Sequence, residues 1–196
     1  MRLILLRHGE TNWNRERRIQ GQLDIPLNEA GVLQMSKSSD HFADRQIHFA
    51  RILSSPLLRA KQSAEICGRR LSVLVEEAPS FRERAFGDLE GVTIEEIVRR
   101  YGIDCEEIVD SRYGVESQED VLARISMGFD EIFERFADQN ILLITHGSII
   151  KLFAKQYGVD VGIMRNGTYL ELYRNKVTVE LLNHHLMTGW GEMLRT

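Results

Sequence analysis

Leu3-Ile4-Leu5-Leu6-Arg7-His8-Gly9-Glu10-Thr11 runs an unbroken apolar tetrapeptide straight into an arginine, a histidine and a glycine. Four apolar residues with no polar alternation describe a strand buried on both faces, as inside a parallel sheet. The pattern recurs at Ile141-Leu142-Leu143-Ile144, which ends in Thr145-His146-Gly147-Ser148. Sheets of this kind place ligands beyond the carboxyl ends of their strands. Two strand ends that each deliver a His-Gly pair therefore locate a candidate site before any fold is known.

The intervening elements read outward from these strands. Asn28 is a good N-cap for a helix that carries Ala30, Leu33 and Phe42 inward. Arg51–Leu53 reads as a second strand. Ser55-Pro56 supplies a cap and a first-turn proline for a helix ending near Arg69. Leu71–Val75 reads as a third strand, Ser80–Gly91 as an irregular loop and Thr93–Tyr101 as a short helix. After Ser117, which with Asp120 makes a capping-box-like start, Val121, Leu122, Ile125, Phe129, Ile132, Phe133 and Phe136 recur at helical spacing. Ile141–Ile144 feeds a helix running to about Tyr157. Tyr169–Tyr173 and Val177–Leu182 alternate as edge strands or a hairpin, with Asn175-Lys176 near the turn.

Strands alternating with helices predict an α/β fold, a three-layer α/β/α sandwich with a mostly parallel central sheet and room for an antiparallel edge. With 196 residues, three prolines, no repeat and no linker, a single domain over 1–196 is expected, with 186–196 as a peripheral tail. The hydrophobic fraction of 43% suits a substantial core, and the net charge of −4 argues against a general nucleic-acid binder. Leu3–Leu6 is too short for a signal core or a membrane span. Cys67 and Cys105 show neither metal-ligand nor disulfide-framework spacing, so a soluble cytoplasmic protein is the expectation.

Four segments carry chemistry. In Arg7–Thr11 the arginine presents a planar donor fork matched to phosphate oxygens, and the neutral histidine is a nucleophile toward phosphorus. Gly9 lets backbone approach a ligand, and Thr11 adds a hydroxyl. Ser54-Ser55-Pro56-Leu57-Leu58-Arg59 puts an arginine in a helix's first turn, and Phe81-Arg82-Glu83-Arg84 holds a carboxylate in a glycine-bounded loop. Thr145-His146-Gly147 repeats the strand-end histidine. Each has a bland reading in isolation: a surface turn, a solvated helix charge, a surface ion pair, a structural histidine.

Together and in this order, the four segments resemble the histidine phosphatase superfamily, in its phosphoglycerate-mutase-like branch. The Arg-His-Gly-Glu-Thr signature stands at Arg7–Thr11, the usual downstream asparagine is Asn14, and Gln20-Gly21 occupies the next phosphate-pocket position. The second arginine falls on Arg59, the proton-donating carboxylate on Glu83 and the second histidine on His146. Gly114-Val115-Glu116-Ser117 resembles a Gly-Glu-Ser element, interrupted by Val115. The likeness spans roughly residues 2–160.

The resemblance implies a metal-independent phosphomonoesterase of the histidine acid phosphatase type, needing no cofactor and acting through a phosphohistidine. His8 would attack phosphorus, with Arg7, Arg59 and His146 around the phosphoryl group. Asn14, Thr11, Gln20, Gly21 and Gly147 would complete the phosphate pocket, and Glu83 would protonate the leaving oxygen. A small phosphorylated metabolite is the expected substrate, with no membrane partner and with homodimerisation left open. The alternatives are a cofactor-dependent phosphoglycerate mutase and a phosphoprotein-directed or binding member. Against a mutase, the segment between Glu83 and Glu116 is short and acidic through Cys105–Asp110, and Gln20 stands where a small hydroxyl residue is usual. His41, His48, His184 and His185 form no ligand arrangement. Trp13 reads as packing, and Arg15, Arg17 and Arg18 as a solvated face or a rim that attracts anionic substrate.

Overall fold

Why two histidines far apart in sequence meet is a matter of strand register. A computed structural model describes residues 1–102, 113–174 and 179–185, the last segment and Arg174 by backbone alone. Strand β1 (Arg2–Arg7) runs parallel to β4 (Ile141–Thr145), pairing Leu3 with Ile141 and Arg7 with Thr145. Strand β2 (Arg51–Ser54) lies parallel on the other side of β4, with Ser54 level with Ile144. The carboxyl ends of all three strands thus finish together, and the residues just beyond them are His8, His146 and Ser55.

Strand β3 (Val75–Glu77) extends the parallel part, and β5 (Tyr169–Arg174) and β6 (Val179–His185) add antiparallel strands, giving the order β3-β2-β4-β1-β5-β6. Helices cover both faces. On one, α5 (Gln118–Arg135) and α6 (Gly147–Gln156) pack Ile125, Phe129 and Phe153 against Leu3, Leu5 and Leu143. On the other, α2 (Glu29–Asp44) and α3 (Leu58–Leu71) pack Met35, Phe42 and Ala64 against Ile4, Leu6 and Leu142. Each fully buried leucine or isoleucine here contributes roughly 1.5–3 kcal/mol, which is why the strands read as continuous apolar runs. The short helix α1 (Asn12–Arg15) follows β1, and α4 (Ile94–Tyr101) sits over a smaller cluster of Ile19, Phe86, Leu89, Ile97 and Val115.

The predicted α/β/α sandwich is therefore observed, with some local differences. Leu71 closes α3 instead of opening a strand: Ser72 is left-handed at φ 56° and its N–H returns to Gly68, so β3 begins later, at Val75. Ser55 does not cap α3; Leu57 holds the N-cap position, and Ser55 is committed elsewhere. β5 and β6 pair antiparallel, as the hairpin alternative expected, and β6, not β5, is the edge strand. On α2, Leu33 is exposed and the inward face is Gly31, Met35, Ser38, Ser39 and Phe42. Hydropathy misplaces that face because small residues, not large apolar ones, allow the close approach. The Asn175-Lys176 turn, Val177, the Cys105–Asp110 stretch and the 186–196 tail lie outside the described residues. No helix among the described residues is long and apolar enough to cross a membrane.

Gly31 is where α2 touches the strand-end loop. A Cβ there would lie 2.2 Å from the Glu10 carbonyl oxygen and 2.7 Å from its nitrogen, and a Cβ on Gly9 would meet the Gly31 oxygen at 2.5 Å. Gly31→Ala should therefore destabilise the protein by about 1–3 kcal/mol through overpacking, although alanine is intrinsically the better helix former. Urea unfolding measures it; an unchanged or higher midpoint would show that the loop yields freely.

Candidate functional site

His8 follows β1 directly, and its N–H donates to the Thr145 carbonyl at 3.0 Å, which ties it to the end of β4. Its ring is buried, and Nδ1 lies 2.7 Å from the Gly9 carbonyl oxygen. A carbonyl can only accept, so Nδ1 carries the proton and Nε2 keeps its lone pair. Asn166 holds the same backbone from the far side, its Nδ2 donating to the carbonyls of His8 (3.0 Å) and Gly9 (3.3 Å). Gly9 N–H donates to Ser63 Oγ at 3.1 Å.

That lone pair faces concentrated positive charge. Arg59, 1% exposed, donates from Nε to His8 Nε2 at 3.2 Å. Its Nη1 and Nη2 donate to the carbonyls of Leu23 (2.8 Å) and Gly21 (2.7 Å). Desolvation lowers the Arg59 guanidinium to about 10, still charged at neutral pH. Arg7 is hydrogen-bonded to the Met164 carbonyl, and its guanidinium lies against the space a Cβ on Gly147 would take, 3.6 Å from its Cζ. The His146 ring sits 5.1 Å from that of His8, centroid to centroid. Its Nε2 is 2.7 Å from Ser55 Oγ, while its buried Nδ1 has no hydrogen-bond partner among the described residues. Burial, then Arg59, holds both imidazoles well below the ordinary value of 6.5, so both are neutral.

Glu83 stands on the loop after the 3₁₀ turn Pro79–Phe81. Its carboxylate accepts from the Arg84 N–H at 2.9 Å and is hydrogen-bonded by the Ser148 side chain. Desolvation raises its pKa despite Arg59 and Arg7 nearby. The loop is clamped from α5 by Arg124, which donates to the carbonyls of Ser80 (2.7 Å), Arg82 (2.8 Å) and Glu83 (3.2 Å). Arg124 also forms a two-point pair with Glu116, at 2.7 and 3.0 Å. Burial works against the charged form of Glu116, but Arg124 and the Ala85 N–H hold its pKa below the usual carboxylate value.

The structure thus brings Arg7, His8, Arg59 and His146 together, with Glu83 close enough to feel both arginines. Thr11 is the N-cap of α1, in a reciprocal capping box with Asn14. Asn14 Oδ1 also accepts from Asn166 at 3.2 Å, and Gln20 Oε1 accepts from the Thr11 hydroxyl at 3.0 Å. Gly21 has φ 48°, and a Cβ there would strike the Glu90 side chain at 1.9 Å. Trp13 packs on Gly91. Arg17 pairs with Glu95, and Arg18 with Glu16 and the Gly91 carbonyl, so both fasten the 12–18 segment to 91–95. Arg15 reaches Asn12. Sequence reasoning missed Ser55, Asn166, Ser63 and Arg124. The adjacent serines before Pro56 were a signal for Ser55; the other three lie in stretches whose local pattern carries none.

Comparison with known proteins identifies the family. The profile of the histidine phosphatase superfamily (branch 1) matches residues 3–180. The chain is 35% identical over 149 residues to an uncharacterized phosphatase, PhoE, of Bacillus subtilis, covering 76% of this chain and 72% of that one. It is 32% identical over 152 residues to a probable phosphoglycerate mutase, GpmB, of Yersinia pestis, covering 75% and 70%. Among solved structures, a mycobacterial glucosyl-3-phosphoglycerate phosphatase superposes with a TM-score of 0.80 at 31% identity, over 92% of this chain and 96% of that one.

The neutral histidines make stability pH-dependent with a definite sign. Their folded pKa values lie below the unfolded value near 6.5, so in the interval between them the unfolded chain binds the extra protons. Their contribution is complete above about pH 6.5 and is lost as pH falls. Glu83, raised in the fold, acts with the opposite sign and partly offsets them. Urea midpoints should drop between pH 7 and pH 5, and His8→Asn should flatten that drop by up to about 1.4 kcal/mol per pH unit. A slope identical to wild type would place the histidine proton uptake elsewhere.

Proposed function

The chain belongs to the histidine phosphatase superfamily, branch 1, and from that membership we propose that it hydrolyses phosphate monoesters of a small metabolite through a phosphohistidine at His8. The observation that carries this reading is the orientation of His8: Nδ1–H held by the Gly9 carbonyl and Nε2 accepting from Arg59, with the His146 ring 5.1 Å away. An unprotonated nitrogen whose lone pair is held only by a cationic donor that a phosphoryl oxygen can take over suits attack on a phosphoryl group. In phosphoryl transfer, positioning and electrostatic stabilisation supply nearly all the catalysis.

When a monoester binds, the Arg59 Nε–H passes from the imidazole to a phosphoryl oxygen. Arg7 and the buried Nδ1 of His146, as its N–H tautomer, take others. His8 Nε2 forms the N–P bond as the ester P–O bond breaks, and Glu83 delivers its proton to the departing oxygen. Water then attacks phosphorus, Glu83 takes a proton from it, and orthophosphate leaves as the N–P bond breaks. The raised pKa of Glu83 suits a carboxyl that must hold a proton in one half-reaction and accept one in the next. Arg7 and Arg59 supply the positive charge that many phosphatases draw from metal ions. Thr11, Asn14, Gln20 and Gly21 act behind them, fixing the loop whose carbonyls hold Arg59.

Phosphate release from a panel of monoesters should survive EDTA and vanish in His8→Ala. Acid-labile, base-stable ³²P labelling should appear on wild type and not on that variant. His146→Ala should lower kcat by about 10²–10³-fold, the loss typical of one preorganised donor. Because Glu83 must be protonated to assist departure, kcat/KM should fall as pH rises through its raised pKa, and Glu83→Gln should remove that limb. A run with a glycerate bisphosphate primer decides the other reading that the relatives' names raise: isomerisation without net phosphate release would make the protein a mutase.

A further inference from the structure

Arg124, on α5, has the five N–H donors of any guanidinium, and all of them are engaged. Nε donates to Glu116 Oε1 at 2.7 Å and Nη2 to Glu116 Oε2 at 3.0 Å, a two-point ion pair. Nη1 donates to the carbonyls of Ser80 and Arg82, and the second Nη2 hydrogen to that of Glu83. No donor is left to hold a substrate. Apart from Glu116, everything the guanidinium grips is backbone leading to Glu83.

Glu116 completes the frame on the other side. Its N–H donates to the Ala85 carbonyl at 2.9 Å, and its Oε2 accepts from the Ala85 N–H at 3.1 Å. Its carbonyl accepts from Arg84 Nε at 2.7 Å. Glu83 therefore lies between two sets of bonds: Arg124 holds the chain up to it, Glu116 holds the two residues after it, and the ion pair joins the holders. Two further bonds fasten the loop to the rest of the site. Gln22 Nε2 donates to the Glu83 carbonyl at 3.0 Å, and the hydroxyl of Thr145, the residue before His146, donates to the Phe81 carbonyl at 2.8 Å. The Arg124 and Glu116 side chains are only 17% and 18% exposed, so removing either leaves a poorly solvated charge behind.

We infer that Arg124 and Glu116 are positioning residues for proton transfer: they fix the Glu83 backbone so that its carboxyl reaches the leaving oxygen. The inference rests on the hydrolase reading above and deepens it. An alkyl ester needs the Glu83 proton on its oxygen as the P–O bond breaks, because an alkoxide is a poor leaving group. A nitrophenolate departs as the anion and needs it far less. General acid catalysis is worth about 10²–10⁴-fold, and a misplacement of about 1 Å can cost about 10²-fold. Loss of the clamp therefore falls hardest on esters of basic alcohols, whereas a residue that only supports the fold lowers both rates alike.

The test compares kcat/KM, which reports formation of the phosphohistidine, for 4-nitrobenzyl phosphate and 4-nitrophenyl phosphate, esters that differ by one methylene. Arg124→Met should lower the nitrobenzyl-to-nitrophenyl ratio about tenfold. Glu116→Gln should lower it less, and Arg124→Lys, with the charge but fewer donors, should fall between wild type and Arg124→Met. In a Glu83→Gln background, adding Arg124→Met should leave the ratio where it is, because the proton that the clamp positions is gone. If Arg124→Met does not fold, Arg124→Lys and Glu116→Gln carry the same comparison. A ratio that stays at its wild-type value, or one that falls by the same factor in the Glu83→Gln background, overturns the positioning role. Absence of phosphate release by wild type from both esters and from the broader monoester panel overturns the hydrolase reading, and this inference with it.

Discussion

The parallel hydrogen bonding of β1, β4 and β2 sets Arg7 level with Thr145 and Ser54 level with Ile144, and the site depends on that alignment. A slip of one residue in either pair would turn a histidine to the opposite face and bury a charged side chain in a core layer. The apolar runs resist such a slip, because both faces of each strand are already filled by helices. The same bonding that builds the core therefore holds two imidazoles 5.1 Å apart without any direct link between their side chains.

What is held there is electrostatically costly. Arg59 is buried among backbone carbonyls and another arginine lies nearby, while both imidazoles are kept neutral. Bringing like charges together in a desolvated site is unfavourable, and in the proposed reaction a dianionic phosphoryl group would relieve it. The surrounding structure offsets the cost in the meantime: carbonyls of Gly21 and Leu23 accept from Arg59, and that of Met164 from Arg7. Gly21 accepts from Arg59 in a left-handed conformation that leaves the Glu90 carboxylate free to reach the N–H groups of Gln22 and Phe86.

Glu83 is treated differently. No strand positions it; its loop is gathered by Arg124, which binds the carbonyls of Ser80, Arg82 and Glu83 and is itself locked by Glu116, while Gln22 and Thr145 bind the Glu83 and Phe81 carbonyls. The result is a carboxyl on an irregular segment held almost as firmly as the strand-end histidines. The Gly-Val-Glu-Ser stretch, noticed in sequence as an interrupted motif, acts here by anchoring that clamp, and Ser117 begins α5 immediately afterward.

The sequence by itself determined the layers and the family. Fully apolar runs dictate buried parallel strands, helical spacing dictates α5, and arginine, histidine and carboxylate in that order resemble a phosphatase family whose profile the chain matches. Those signals are local, carried by residues within a turn or a strand of one another. Only the tertiary structure decided that Ser55 serves His146 instead of capping α3, that Asn166 fastens His8, and that α2 turns Gly31 inward in place of Leu33. The physical reason is common to all three: each is a contact between segments distant in the chain. A hydrogen bond or a close backbone approach across such a distance leaves no periodicity, cap or hydropathy pattern behind it.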